Sequence, residues 1–359
     1  MKAVKIVALV LTALTITACG NGSTSYSLLS EGNAFRQASS QQLTKIDVMW
    51  VVDNSGSMAS SQTNLANNFP AFIQKFTEKN YDFQMAVTTT DAYLALPLYT
   101  PYYNTVPTPS YYQGRPQEEI AWFRDGNPTQ GPSGYSILTS AITDLHNVFI
   151  QNVMQGIAGR GDERSFQSMR TALDSPNNSG FVRQGGFLAV ILVTDEDDFS
   201  HDGTAQYERY DRPLHTVDSY VSYLDGLTGS SGPGRRYSVN SISVNDQACL
   251  DSINNGAQKI GVRVGQLATA TGGVKGNLCG DFAQELALIS KSIVELSTQF
   301  FLNGSPVPES IRVIVNGVEV PKSGWTYIAA SNAIQFQYAY TPPQNAIINV
   351  TFDPTQLSF

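Results

Sequence analysis

The feature that most restricts the fold is a short apolar run followed at once by a cluster of oxygen-bearing side chains. Residues 48–52, Val-Met-Trp-Val-Val, are apolar without interruption. A strand with one face in water would alternate polar and apolar residues, so this run predicts a strand buried on both faces, which is typical of parallel sheets. A second run of this kind, residues 187–193, predicts a second buried strand in the same sheet.

Helical patterns alternate with the predicted strands. Apolar residues at helical spacing predict helices at 61–79, 137–154, 163–173, 217–227, 264–270 and 282–301. Further strands are predicted at 83–90 and 237–244. This alternation predicts an α/β fold over residues 44–300, with a doubly wound, mostly parallel sheet and helices on both faces. From residue 301 to 359, alternating patterns and the hairpin signal Asn316-Gly317 predict a small all-β, sandwich-like module.

The loop after the first apolar run has the composition of a metal site. Asp53, Ser55 and Ser57 stand at i, i+2 and i+4, and Gly56 permits a tight turn between them. Doubly wound sheets bind ligands at the carboxyl ends of their strands. One carboxylate and two hydroxyls suit a small hard cation such as Mg²⁺. The alternative is a Ser/Gly-rich turn that only caps the following helix.

The strand and its loop resemble the von Willebrand factor A (VWA) family, whose metal-ion-dependent adhesion site begins with Asp-x-Ser-x-Ser after an apolar strand. The resemblance covers residues 44–300 and implies a Rossmann-like fold. It also implies a carboxylate after the fourth strand of the sheet, and Asp195 stands there, in the run Thr-Asp-Glu-Asp-Asp at 194–198. The stretch from Gly180-Phe-Val-Arg to this acidic run resembles the corresponding stretch of bacterial VWA lipoproteins, which often carry such a run.

The middle loop of the site departs from the family pattern. The family places a threonine there, but residues 159–165, Gly-Arg-Gly-Asp-Glu-Arg-Ser, contain none. Glu163 or Ser165 is the expected substitute, and we favour Glu163. A carboxylate at this position would hold Mg²⁺, or alternatively Mn²⁺ or Ca²⁺, without help from a partner. The family pattern leaves one metal position open to an acidic residue of a protein ligand.

The N-terminus resembles that of bacterial lipoproteins. Lys2 and Lys5 precede an apolar stretch too short to span a bilayer, which is a signal-peptide layout for residues 1–18. The stretch ends in Ile-Thr-Ala before Cys19, as in a lipobox, so Cys19 is the expected lipidation site; an ordinary cleaved leader is the alternative. Gly20 instead of aspartate favours the outer membrane. Residues 19–43 are rich in Gly, Ser, Gln and Asn and predict a flexible tether.

Cysteine content and charge agree with an exported protein. Beyond Cys19 the chain has only Cys249 and Cys279. In an oxidising compartment two remaining thiols predict one disulfide, the alternative being two buried free cysteines. The formal net charge is −8, and since the predicted leader holds two lysines and no acidic residue, the remainder carries −10. Such a chain is a poor partner for nucleic acid or for an anionic membrane surface, so membrane association is expected through lipid alone.

Three further motifs allow two interpretations each. Residues 91–134 form a Tyr/Pro-rich insertion, which suits either recognition or packing against the sheet. Its first part holds Tyr93, Tyr99, Tyr102, Tyr103, Tyr111 and Tyr112. The acidic run at 195–198 with Asp202 indicates either a Ca²⁺ site or a solvated loop. Arg160-Gly161-Asp162 matches the integrin-binding tripeptide, and a chance match is the favoured interpretation.

The sequence therefore favours a non-enzymatic binding module that uses a divalent metal for adhesion to a protein or cell surface at the bacterial envelope. An assembly or scaffold factor of the envelope is the first alternative. A metal-dependent hydrolase is the second, but His146, His201 and His215 are scattered and show no catalytic or zinc-binding spacing.

Overall fold

The computed structural model describes residues 45–100, 115–204, 210–211, 213–253, 258–343 and 345–355, together with the backbone of residues 35–40. The predicted leader, residues 1–18, and Cys19 lie outside these ranges. So do Tyr102, Tyr103, Tyr111 and Tyr112 of the insertion. None of the helices within the described ranges is long and apolar enough to cross a membrane.

In chain order the strands are β1 (Phe35–Ser40), β2 (Ile46–Val52), β3 (Phe83–Thr89), β4 (Gly126–Asn127), β5 (Gly131–Pro132), β6 (Leu138–Thr139), β7 (Phe187–Val193), β8 (Tyr237–Ser243), β9 (Lys275–Asn277), β10 (Phe300–Phe301), β11 (Arg312–Val315), β12 (Val318–Glu319), β13 (Trp325–Ile328), β14 (Ala333–Phe336) and β15 (Ile347–Phe352). The α-helices of the described ranges are α1 (Ala59–Thr77), α2 (Leu145–Val153), α3 (Ser165–Asp174), α4 (Val217–Thr228), α5 (Gln247–Ile253), α6 (Val262–Ala270) and α7 (Phe282–Ser297).

The main sheet has six strands in the order β6-β3-β2-β7-β8-β9. The five strands from β3 to β9 in this order are parallel, and β6 pairs antiparallel with the edge of β3. Both β2 and β7 are buried along their whole length, which is why neither alternates polar and apolar residues. The predicted mixed α/β architecture, with a mostly parallel sheet between helices, is confirmed.

Successive side chains of β2 enter two different cores, because strand side chains alternate between the faces of a sheet. Trp50 and Val52 pack in the core formed with α1, α2 and α7. Met49 and Val51 pack in the core formed with α3, α4 and α6. The Trp50 ring meets Phe72 edge-on at 4.9 Å, and burying an aromatic side chain of this size contributes about 2–3 kcal/mol.

The strands are in register at their carboxyl ends. Val52 pairs with Thr89 on one side and with Val193 on the other. The loops after β2, β3 and β7 therefore leave the same edge of the sheet at the same level, where a doubly wound fold binds its ligands.

Two predicted helices are shorter than their apolar patterns. The helix predicted at 137–154 begins only at Leu145, because Leu138 lies in β6 and Ile142 packs on the same core from the loop before the helix. The apolar pattern predicts that the last helix reaches residue 301, but the helix ends at Ser297. Phe300 belongs to β10 and packs in the C-terminal module. In both cases apolar residues of a strand or loop pack in a core and happen to stand at helical spacing, so the pattern predicts a helix that is too long.

Small antiparallel sheets follow the α/β part, as expected. One has the order β1-β15-β11-β12 and the other β10-β14-β13, and they enclose a separate apolar core that includes Trp325 and Phe336. The tether predicted at 19–43 needs a correction: residues 35–40 form β1, which pairs with β15 along its whole length. Residues 35–40, Phe-Arg-Gln-Ala-Ser-Ser, are mostly polar or small and show no alternation of apolar residues, so the sequence did not reveal this strand.

Candidate metal site

Asp53 is the first residue after β2 and is completely buried. One carboxylate oxygen accepts a hydrogen bond from the Ser55 amide at 2.7 Å, and the other accepts one from the Thr194 hydroxyl at 2.8 Å. Burial raises the pKa of Asp53 to about 7, the nearby charge of Asp195 adds to the rise, and the hydrogen bonds from Ser55 and Thr194 oppose it. The site thus holds a carboxylate that is poorly compensated when ionised.

Ser55 and Ser57 follow in the turn, with their hydroxyl oxygens 3.4 Å apart. Ser55 is buried, whereas Ser57 is partly exposed. The Ser57 hydroxyl lies close enough to Asp195 to lower the pKa of that carboxyl. The structure therefore brings together Asp53, both serines and Asp195, which come from two loops far apart in the chain.

Asp195 follows β7 by two residues and is also buried. One carboxylate oxygen accepts a hydrogen bond from the Gln258 amide at 3.2 Å. The other oxygen, Oδ1, is buried and has no hydrogen-bond partner among the described residues. Burial raises the pKa of Asp195, and the Ser57 hydroxyl and the Gln258 amide oppose the rise. A cavity beside this carboxylate is lined by Ser57, Gln258 and Cys279, among others.

Glu163 lies shortly before the first turn of α3 and is completely buried. Neither of its carboxylate oxygens has a hydrogen-bond partner in the described part of the chain. Burial raises its pKa well above the usual value, with further increases from the charges of Asp53, Glu196 and Asp91, while the nearby Thr90 hydroxyl lowers it. Ser165, the alternative substitute, also has a buried hydroxyl without a partner over the same ranges.

Sequence reasoning missed a set of hydrogen bonds that joins the loops after β2 and β3 to the middle loop. Asn54 donates a hydrogen bond to Asp91 at 3.0 Å, and Asp91 also accepts one from the Arg160 amide at 3.1 Å. Gly159 donates its amide proton to the Asn54 carbonyl oxygen at 2.8 Å. A side chain at position 159 would meet Asn54 at about 2.4 Å, so only glycine fits this approach. Thr90 and Asp91 follow β3 directly, and this position after a strand was the signal available in the sequence.

Gln62 of α1 joins the loop after β2 to the segment just before the middle loop. Its amide group donates hydrogen bonds to the carbonyl oxygens of Asp53 and Gly156, both at 2.8 Å, and its oxygen accepts one from the Gly156 amide. The backbone positions of both loops are therefore fixed independently of any bound ion.

The acidic run after Asp195 is not a solvated loop, because residues 196–198 are buried. Asp197 accepts a hydrogen bond from the Arg263 amide in the first turn of α6 at 2.8 Å. Asp198 accepts one from the Phe166 amide in the first turn of α3 at 2.9 Å, and it pairs with the Arg263 guanidinium at 3.1 Å. Glu196 pairs with Lys259 at 3.3 Å. Asp197 and Asp198 thus cap helices, a stabilising place for a negative charge.

The structure also shows the contacts of the Arg-Gly-Asp tripeptide and of the two remaining cysteines. Asp162 of the Arg-Gly-Asp tripeptide is buried and paired with Arg164 at 2.6 Å, so it is not presented to a receptor. Cys249 and Cys279 form the predicted disulfide, with their Cα atoms 5.5 Å apart. It links α5 to the turn before α7.

The donor set fits a small hard cation in its chemistry. Carboxylate and hydroxyl oxygens are preferred ligands of Mg²⁺, Mn²⁺ and Ca²⁺. The unpartnered oxygens of Glu163 and Asp195 are the atoms whose burial a cation would compensate. No group of three or more His, Cys, Asp or Glu side chains in the described ranges is arranged to hold a metal ion. The carboxylates of Asp53, Glu163 and Asp195 therefore do not form a ready-made cage in this structure. An ion at this place would also take hydroxyl oxygens and water, as Mg²⁺ commonly does, and the three side chains would have to move closer together to bind it.

No family model matches the chain, and no curated protein does. Among solved structures, it resembles the pilus adhesin SpaC from Lactobacillus rhamnosus GG in its open conformation, with a TM-score of 0.40 and 12% sequence identity, over 87% of this chain and 39% of that one. It also resembles proximal thread matrix protein 1 from the mussel byssus, with a TM-score of 0.39 and 12% identity, over 73% of this chain and 50% of that one. The chain spans half or less of the length of each.

Proposed function

We propose that this protein is a non-enzymatic, metal-dependent binding protein of the bacterial cell envelope. Asp53, Ser55, Ser57, Glu163 and Asp195 hold a divalent cation, Mg²⁺ in the first instance, and the cation binds an acidic residue of a protein ligand. The observation that carries the proposal is the set of buried carboxylate oxygens of Glu163 and Asp195 that lack partners in the described chain. Both carboxylates lie near enough to the buried carboxylate of Asp53 for the charges to interact.

The physical reason is the cost of burying like charges together. Ionised carboxylates in a protein interior are tolerated when they are paired or bind a metal. Here the charge of Asp53 raises the pKa of Glu163, and the charge of Asp195 raises the pKa of Asp53. A divalent cation offsets this repulsion and converts a destabilising arrangement into a binding site. The VWA-like sequence of the first loop supports the same proposal independently.

The partner would approach from the side of Ser57, the partly exposed member of the set. A cavity lined by Ser57, Asn64 and Asp195 leaves room there for a ligand side chain. A lipid on Cys19 would hold the protein at the outer membrane, so membrane attachment and partner binding would use different parts of the chain. This localisation rests on the sequence from Met1 to Gly20.

Calorimetric titration of metal-free protein with Mg²⁺ and Mn²⁺ tests the proposal. The wild type should bind one ion, and Asp53→Asn and Asp195→Asn should each weaken binding at least about 100-fold, because each removes a charged ligand. Asp202→Asn is the matched control: Asp202 belongs to the same acidic run, but its side chain is 92% exposed and pairs with His215.

Equal affinities of the wild type and Asp53→Asn, or no binding by the wild type, would overturn the metal site. The partner is tested separately by capture from envelope extracts with Mg²⁺ and with chelator. A protein retained by the wild type only with Mg²⁺, and not by Asp195→Asn, supports adhesion. Capture that ignores chelator would contradict a metal-dependent role.

A further inference from the structure

Arg164, the neighbour of Glu163, is a completely buried arginine enclosed by aromatic rings. Its guanidinium carbon lies 4.6 Å from the centre of the Tyr93 ring and 5.2 Å from that of Tyr99. The two rings meet edge to face at 5.0 Å. Cation–π contacts of this kind are strongest where water is excluded. The two tyrosines begin the Tyr/Pro-rich insertion, so this part of the insertion packs inward.

Hydrogen bonds complete the enclosure. Two nitrogens of the guanidinium contact Asp162, at 2.8 and 2.6 Å. Another donates to the carbonyl oxygens of His201 and Gly203, each at 3.0 Å, and to the Tyr99 hydroxyl. A planar group with this many fixed partners has one orientation only. We call this arrangement of Arg164, Asp162, Tyr93 and Tyr99 the arginine cage.

Glu163 has no comparable fixation of its own. The Thr90 hydroxyl lies near enough to lower the pKa of its carboxyl, but neither carboxylate oxygen has a hydrogen-bond partner in the described ranges. Its backbone carbonyl accepts a hydrogen bond from the Phe199 amide at 2.8 Å. An uncompensated carboxylate gains free energy by rotating toward water. Its buried position therefore depends on the backbone on either side. On the C-terminal side that backbone continues into Arg164, whose guanidinium is held by the other residues of the arginine cage.

We propose that Arg164 is a positioning residue that, through the arginine cage, keeps the Glu163 carboxylate directed at the metal site. The inference rests on the proposed function, since it assigns Arg164 an effect on metal affinity. It also gives the Arg-Gly-Asp sequence a structural role: Asp162 belongs to the cage and is not a receptor ligand.

The test is the affinity of Mn²⁺ for Tyr99→Phe and Arg164→Lys. Tyr99→Phe removes one hydroxyl from the cage and should weaken Mn²⁺ binding by up to roughly tenfold, because the lost hydrogen bond to a charged group acts on the metal site only through Glu163. Arg164→Lys loses the planar fork and should weaken it further. Tyr220→Phe is the control: it also removes a buried hydroxyl near α3, but that hydroxyl contacts His215 and its ring packs on Phe166. It should bind Mn²⁺ like the wild type.

A double-mutant cycle with Glu163→Gln separates positioning from a general structural effect, with Mn²⁺ raised to millimolar concentrations to measure the weaker variants. If Arg164 acts through Glu163, Tyr99→Phe has little further effect in the Glu163→Gln background. Additive losses, or wild-type affinity in both cage variants, would overturn the inference. If Glu163→Gln abolishes binding entirely, the comparison of Tyr99→Phe with Tyr220→Phe decides. A wild type that binds no Mn²⁺ refutes the proposed function instead.

Discussion

Two groups of buried carboxylates lie at the same edge of the sheet and differ in what compensates them. Asp197 and Asp198 accept hydrogen bonds from amides at the start of α6 and α3, and Asp198 also pairs with Arg263. Glu163 and Asp195 are equally buried, but three of their four carboxylate oxygens have no hydrogen-bond partner within the described ranges.

The difference shows how to separate structural from functional acids. A carboxylate at a helix N-terminus is stabilised by the amides it caps and needs no ligand. A buried carboxylate without donors destabilises the fold unless something else compensates it, and such groups concentrate at functional sites. Proximity of acids in the sequence does not make this distinction, since Asp195 and Asp197 are almost adjacent in the chain.

The largest expected effect comes from removing a structural acid. Asp198→Ala leaves the first turn of α3 without its cap and Arg263 without its ionic partner, so the free energy of unfolding should fall by about 3–5 kcal/mol. Urea denaturation in chelator measures it. The folded fraction should still be stabilised by Mg²⁺. A loss below about 1 kcal/mol would mean that this pair does not hold the helix.

The next effect is stabilisation by the ion itself. At a Mg²⁺ concentration of about 100 times its dissociation constant, the free energy of unfolding of the wild type should rise by about 2.7 kcal/mol. Asp195→Asn should show almost none of this rise at the same concentration. Thermal or urea unfolding with and without Mg²⁺ measures both. Equal stabilisation of the two proteins would place the ion elsewhere.

Metal affinity should depend on pH in a defined direction. Burial and the charge of Asp195 raise the pKa of Asp53 from 3.8 to about 7 in the metal-free protein. A raised pKa favours the folded state while the proton is bound, and this contribution is lost as pH rises from about 4 to 7. The ion must displace that proton and also those held by Glu163 and Asp195, whose pKa values burial also raises. The dissociation constant should therefore fall by about tenfold or more per pH unit below 7 and less steeply above it. Mn²⁺ titrations from about pH 5.5 to 8.5 measure this, and a flat profile would contradict it.

The smallest expected effect is the change in the free energy of unfolding when a single carboxylate is replaced by its amide. Its sign should differ between the carboxylates that lack partners and those that cap helices. Glu163→Gln removes an uncompensated buried charge and should raise the free energy of unfolding in chelator by on the order of 1 kcal/mol at about pH 8. Asp198→Asn, the matched change in a compensated acid, should lower it, because Asp198 accepts a hydrogen bond from the Phe166 amide and pairs with the Arg263 guanidinium. Urea denaturation of both variants measures the pair. The same sign for both would remove the distinction between the groups.

The sequence predicted the features that depend on local pattern. Continuous apolar runs located β2 and β7. The oxygen-bearing residues directly after β2 indicated Asp53, and the resemblance to the VWA family indicated Asp195. The disulfide between Cys249 and Cys279 followed from cysteine content and is confirmed. The metal itself and the lipid on Cys19 stay predictions.

The features that sequence reasoning missed depend on contacts between distant segments. Asp198 caps α3, which begins at Ser165, and Asp197 caps α6, which begins at Val262, so their neighbours in the chain gave no signal. Residues 35–40 join a sheet through backbone pairing, which composition does not record. Likewise, the pairing of Arg164 with the rings of the insertion needs two loops to meet.

A crystal of the protein soaked in Mn²⁺ tests the central claim most directly, because anomalous scattering locates the ion. The account predicts a single strong peak within coordination distance of Asp53 and the Glu163 and Asp195 oxygens that lack partners here. A peak beside Asp197 and Asp198 instead, or none at the edge of the sheet at saturating Mn²⁺, would contradict it.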